Sequence, residues 1–223
     1  MLVRLGLCFG LLVYASFLDW RFREIDDKSW VSMVVLGVLF LIFDFIRTGG
    51  VSLILGFFIS VGVATIFAVT LSYLNIMGGG DGKILIGVAA LVPSLSYPTM
   101  TVFPIFIFSV YFGNAVLLAA LFPVVFFILN LGHLKGVKSY KGFLALFLGY
   151  EKDAADVGEF EVFLGRDGYF ELTPNKDALG ERIEGEGRVW VTPAIPSIVL
   201  ITIGFVISVV YGDILSLLML RLL

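Results

Sequence analysis

Cysteine, histidine and charge are all scarce in this chain. Among 223 residues, Cys8 is the one cysteine and His133 the one histidine. That excludes a disulfide within the chain, a CxxC redox or zinc motif, and a His-rich metal cluster. A Cys–His nucleophilic pair finds no support either, because Cys8 lies deep in the first apolar run and His133 near the end of a later one. Charged residues make up only 15% and the net charge is −3. Such a balance offers no basic surface to a nucleic acid. Chemistry here must rest on carboxylates, hydroxyls or lysine, and it asks for no cofactor or metal.

What the chain has in abundance is apolar sequence, at 59% of residues. It is concentrated in long runs, as in a polytopic all-α membrane protein. The runs predict six transmembrane helices: 2–18, 30–46, 51–74, from near 83 to around 98, within 110–131 and within 192–220. The apolar stretch 99–131 is too long for one span at about 1.5 Å per residue. Pro98 and Pro104 make its first part an irregular or interfacial segment. No A-x-A-like cleavage site follows the first run, whereas Asp19, Arg21, Arg23 and Lys28 do. This reads as an uncleaved anchor with its N-terminus outside. The inner segments are then 19–29, 75–83 and 132–192. Among basic residues, only Arg4, Arg47 and Arg221 fall outside, which satisfies the positive-inside rule.

The expected domains are a membrane part, 1–131, a soluble cytosolic insert, 132–191, and a last helix within 192–223. Residues 136–150 read as a helix, basic at its start, lying in the interface. From 159 to 164 Phe160, Val162 and Leu164 alternate with polar positions. Arg166-Asp167-Gly168 then leads into 169–172, and an Asp-Gly between alternating runs signals a hairpin. Residues 188–191 can add a strand. The insert is therefore read as a small β-rich unit.

Four acids sit within or at the ends of the spans, where a charge costs several kcal/mol and needs a reason. Asp44 has Arg47 three residues on, an ordinary helical pair, and Asp213 lies near an outer end. Asp19 and Asp81 differ. Asp19 closes the first run, and Asp81 sits in the string Gly78-Gly79-Gly80-Asp81-Gly82-Lys83 that opens the fourth. Two spans separate these sites, so both acids face the same side. Neighbouring carboxylates that cannot both ionise share a proton. One can then activate water while the other donates to a carbonyl oxygen. A phosphate loop fails on spacing, since Met77 and Ile84 stand where Walker A needs Gly and Ser or Thr. A dinucleotide fingerprint fails because Lys83 holds its last Gly position.

Gly78-Gly79-Gly80-Asp81 resembles the Gly-x-Gly-Asp signature of the aspartyl membrane proteases, which include presenilins, signal peptide peptidases, type IV prepilin peptidases and archaeal preflagellin peptidases. The longer Gly-x-Gly-Asp-x-Lys, with Asp19 followed by Ile25 six residues on, is similar to the last two groups. The single cysteine and the insert before the last span resemble the archaeal preflagellin peptidases most. Val191-Thr192-Pro193-Ala194-Ile195-Pro196 is similar to a Pro-containing motif near the active site in this superfamily. The resemblance implies an aspartic endopeptidase with Asp19 and Asp81 as the catalytic pair at the cytosolic face of the cell membrane. It implies an active-site loop of Gly78, Gly80, Lys83, Pro193 and Pro196. The implied substrates are preflagellins and related type IV pilin-like precursors with short basic leaders. The alternatives are a bacterial-type prepilin peptidase without the methyltransferase domain, an ion- or proton-coupled transporter using the same acids, and a non-catalytic scaffold. No inverted repeat supports the transporter.

Overall fold

The computed structural model describes residues 1–74, 77–93, 107–137, 139–166, 169–170 and 187–214. Its helices are α1 (Leu2–Phe22), α2 (Asp27–Thr48), α3 (Val51–Tyr73), α4 (Gly79–Leu91), α5 (Ile107–Ala119), α6 (Leu121–Leu129), α7 (Tyr140–Leu148) and α8 (Ser197–Val210). Among the described residues, strands β1 (Tyr150–Asp153), β2 (Glu161–Arg166), β3 (Tyr169–Phe170) and β4 (Arg188–Pro193) fall between α7 and α8. The chain forms two compact units, Met1–Leu117 with Pro196–Leu223, and Leu118–Ile195.

Among the described residues, four stretches are long and apolar enough to cross a bilayer: Leu2–Phe22, Asp27–Thr48, Val51–Tyr73 and Tyr111–Leu129. The chain is thus a multi-pass membrane protein, mostly helical with a small antiparallel sheet. The described part of α4 has 13 residues and that of α8 has 14. Both are short of the roughly 20 that a full span requires. The segment around Pro98 and Pro104 lies outside the described residues.

Local chemistry sets the helix ends. Arg23 takes the left-handed conformation, φ 56°, and its N–H closes α1 on the Asp19 carbonyl at 3.2 Å. The Asp26 carboxylate accepts the Lys28 N–H at 3.0 Å and opens α2. Gly49, at φ 65°, ends α2. Two boundaries differ from expectation. Nothing after Asp19 breaks the helix, so α1 runs on to Phe22 and Asp19 stands inside its last turns. The fourth helix begins at Gly79, not near 83, because Asp81 reaches back to the N-cap Gly78.

In the first unit α4 lies mainly against α2 and α3, and α8 mainly against α1. Ile84, Leu85, Val88, Ala89, Ala90 and Leu91 of α4 are all buried. Gly37 of α2 permits this approach: a Cβ there would stand 2.4 Å from the Ala90 carbonyl oxygen. Gly204 of α8 is likewise 2.4 Å, measured to a Cβ, from the Tyr111 oxygen. Small residues at helix crossings are the usual route to close packing in lipid. The outer faces expose Phe43, Ile46, Phe58, Ile66 and Val69, a surface suited to lipid tails. Asp44 does not pair with Arg47. Its partner is Arg4, at 2.6 Å across α1 and α2, while the Arg47 guanidinium lies over the Phe43 ring. Packing α1 against α2 brings those two side chains to one end, and a direct pair outweighs the few tenths of a kcal/mol of a same-helix pair.

In the second unit the sheet order is β1-β4-β2-β3, all antiparallel. β2 and β3 pair Gly165 with Phe170 and Arg166 with Tyr169, as the hairpin signal predicts, while Asp167 and Gly168 lie outside the described residues. β1, with the sequence Tyr-Glu-Lys-Asp, has no apolar alternation and went unpredicted. α7 covers part of the expected 136–150 helix, with a 3-10 turn at Leu131–Gly136 before it. Asn130 ties this region together, donating to the carbonyls of Leu146 at 3.0 Å and Gly149 at 2.6 Å.

Glu161 is the charged centre of the sheet. It accepts from the Gly158 N–H at 2.6 Å, the Lys152 ammonium at 3.0 Å and the Tyr150 hydroxyl. Burial pushes its carboxyl up, but these three partners outweigh it and hold the group below its ordinary value. Burial, and then the same carboxylate, push the Tyr150 hydroxyl up to about 12. A depressed carboxyl contributes stability above its unfolded pKa, and loses it as the pH falls through the folded value. Amide exchange on the intact protein should therefore find β1, β4 and β2 losing protection as the pH drops below about 4. Glu161→Gln should reduce that protection by about 2 kcal/mol at pH 7 and flatten its acid dependence. An unchanged acid dependence would remove Glu161 from this role.

Candidate active site

The buried stripe of α1 is Cys8, Leu12, Ala15 and Asp19, spaced four, three and four residues apart. That is the helical period, so the acid occupies the core-facing position that an apolar residue would otherwise fill. Asp19 is only 7% exposed. A carboxylate so placed needs a donor. It receives one from the backbone N–H of Ile198, at 2.9 Å to Oδ2. Ile198 is the second residue of α8, whose first N–H groups have no partner inside the helix.

Asp81 is the third residue of α4 and half-buried. Its Oδ2 accepts the Gly78 N–H at 3.2 Å, the reach-back half of a capping box. Its Oδ1 accepts the Ser197 hydroxyl at 2.7 Å. The two acids thus bind successive residues, Ser197 and Ile198, in one helical turn. They are close enough to interact electrostatically, and Arg23 lies close enough to act on Asp19 as well.

The glycines hold the rest in register. Gly80 lies under Ile25, such that a Cβ on it would stand 2.6 Å from the Ile25 Cδ1. A Cβ on Gly78 would stand 3.2 Å from the Asp81 Oδ2. Lys83 bonds to Asp27 at 2.6 Å, and the Trp30 indole N–H donates to the same Asp27 oxygen at 2.9 Å. Pro196 is the N-cap of α8, directly before Ser197. Pro193 is the last residue of β4, in the second unit. Sequence reasoning missed Ser197, the Ile198 N–H and Asp27. The signal for the first two was faint: a serine after a proline at the head of an apolar run. Among the described residues no group of His, Cys, Asp and Glu could hold a metal ion.

Residues 6–128 match the profile of the type IV leader peptidase family, and residues 135–214 that of the archaeal peptidase A24 C-terminus, type II. The chain belongs to the type IV leader peptidase family. The expectation of a protease therefore holds. The chain is 31% identical to a preflagellin peptidase of Methanococcus maripaludis, over 91% of this chain and 92% of that one. It is 30% identical to a preflagellin peptidase of Methanocaldococcus jannaschii, over 92% and 91%. With one of Methanococcus voltae the identity is 32%, over 92% of each.

For this leader peptidase, Gly80→Ala should cost about 1 kcal/mol, because the far end of Ile25 can turn aside, and Gly80→Val about 3 kcal/mol. Adding Ile25→Ala to Gly80→Val should restore part of the thermal stability, measured in detergent. No recovery would mean that the glycine answers to something other than Ile25. The exposed Lys83–Asp27 pair, screened by solvent, should contribute little to stability. Lys83→Ala should therefore leave the melting temperature nearly unchanged, and any fall in cleavage rate would then assign the lysine to substrate.

Proposed function

We propose that this chain cuts the leader from preflagellin and related pilin-like precursors, with Asp19 and Asp81 as a two-carboxylate dyad at the cytosolic end of a six-span bundle. The observation that carries the reading is the convergence of both carboxylates on Ser197 and Ile198. The name shared by the methanogen relatives supplies the substrate class. The orientation is supported by Arg21, Arg23, Lys28 and Lys83, which stand at the acid-bearing end, against Arg4 and Arg47 at the other.

The chemistry needs the dyad to hold one proton. The ionised carboxylate takes a proton from water as its oxygen bonds to the peptide carbonyl carbon. The protonated one gives its proton to the carbonyl oxygen. In the resulting diol, the first acid passes its proton to the amide nitrogen and the second recovers one from a hydroxyl as the C–N bond breaks. The products are a carboxylic acid and an amine, and the dyad is back in its starting state. A proton-coupled transport role is the weaker reading, because both acids lie at one end of the bundle and not at its middle.

Purified protein mixed with a preflagellin precursor should release the leader. Asp19→Asn and Asp81→Asn proteins that keep the parent melting temperature should lower the rate by at least about 1000-fold. Cleavage by either variant at a rate near the parent's would refute the dyad.

A further inference from the structure

We infer that Ser197 is a positioning residue for this reaction, a hydroxyl latch that fixes the Asp81 carboxylate beside Asp19; the inference rests on the dyad reading above. The two acids belong to different helix groups. Asp19 is on α1, which carries α8 with it: the Ser16 and Thr202 hydroxyls are 2.7 Å apart, Ser16 lies 3.3 Å from the Ile198 carbonyl oxygen, and Asp19 accepts the Ile198 N–H. Asp81 is on α4, which packs mainly against α2 and α3. The 2.7 Å hydrogen bond from Ser197 to Asp81 runs from the first group to the second.

Asp81 also accepts the Gly78 N–H, but that donor belongs to the end of its own helix. It can cap the helix without telling the carboxylate where α1 is. Ser197 supplies that information. It stands one residue before Ile198, so the hydroxyl on Asp81 and the N–H on Asp19 are fixed to each other by the covalent chain. Gly78 donates to one oxygen of the Asp81 carboxylate and Ser197 to the other, so rotation about the Cβ–Cγ bond breaks these bonds.

Loss of the hydroxyl should act on turnover and leave binding alone. Thr and Val at this position are matched in shape and differ only in the hydroxyl. The full-length protein in detergent would be assayed on a preflagellin precursor as parent, Ser197→Thr, Ser197→Val and Ser197→Ala, beside Asp19→Asn and Asp81→Asn. Ser197→Thr should keep kcat within about 3-fold of the parent, while Ser197→Val and Ser197→Ala lose about 10- to 100-fold in kcat with KM within about 2-fold. Equal rates for Thr and Val, a parent-like rate for Ala, or a loss confined to KM would each overturn the latch and leave the dyad standing. A Val variant that fails to fold where Thr folds would also overturn it, since the hydroxyl would then serve folding. Cleavage by either Asn variant would bring down the dyad and the latch together.

Discussion

A helix starts with N–H groups that have no partner inside it, and a carboxylate in an apolar bundle has little to solvate it. The first turn of α8 answers both needs at once. Its Ile198 N–H binds Asp19, and the Ser197 hydroxyl beside it binds Asp81. The positive end of the helix dipole also favours negative charge there. Without these donors, α1 would carry a polar group on its buried stripe with no way to satisfy it. The packing of α1 against α8 and the gathering of the acids are therefore one arrangement.

That arrangement depends on helices coming closer than ordinary side chains permit. Gly37 lets the α2 backbone reach that of α4, and Gly204 does the same for α8 and α5. Hydrophobic burial cannot drive this, since lipid tails are as apolar as leucine. Close contact and interhelical hydrogen bonds do it instead. Ser60 donates to the Ala89 carbonyl at 3.2 Å, Tyr111 to that of Leu85 at 3.2 Å, and Asn114 to that of Gly212 at 3.0 Å. α4 is buried along most of its length, and it carries Asp81 in its first turn.

Much of this was legible in the sequence, for physical reasons that differ by residue. Asp19 and Asp81 stood out because charge is rare in apolar runs, and counting the two helices between them placed both at one end. Strand β2 declared itself through Phe160, Val162 and Leu164, although it starts at Glu161. The Arg4–Asp44 pair was hidden because forty residues separate its members, and only packing brings them together. Strand β1 was hidden because its pairing with β4 is made by backbone groups, which leave no mark on a polar sequence. Ser197 was hidden for another reason. A serine ahead of an apolar run is the most ordinary of helix-start signals, and its hydroxyl faces another helix here, not its own backbone.

The first unit has polar ends and a quiet middle. One end closes on the Arg4–Asp44 pair at 2.6 Å, with Arg4 also stacked over Phe40. That pair ties α1 to α2. Between the ends, the Ser16 and Ser60 hydroxyls meet neighbouring helices, while the Thr202 hydroxyl pairs with Ser16 and also donates back to the Ile198 carbonyl of its own helix. At the other end the arithmetic differs. The Ser197 hydroxyl and the Gly78 N–H donate to Asp81, and the Ile198 N–H donates to Asp19. The same residue type thus serves as a strut at one end of the bundle, where Asp44 meets Arg4, and in the proposed dyad as an acid–base group at the other.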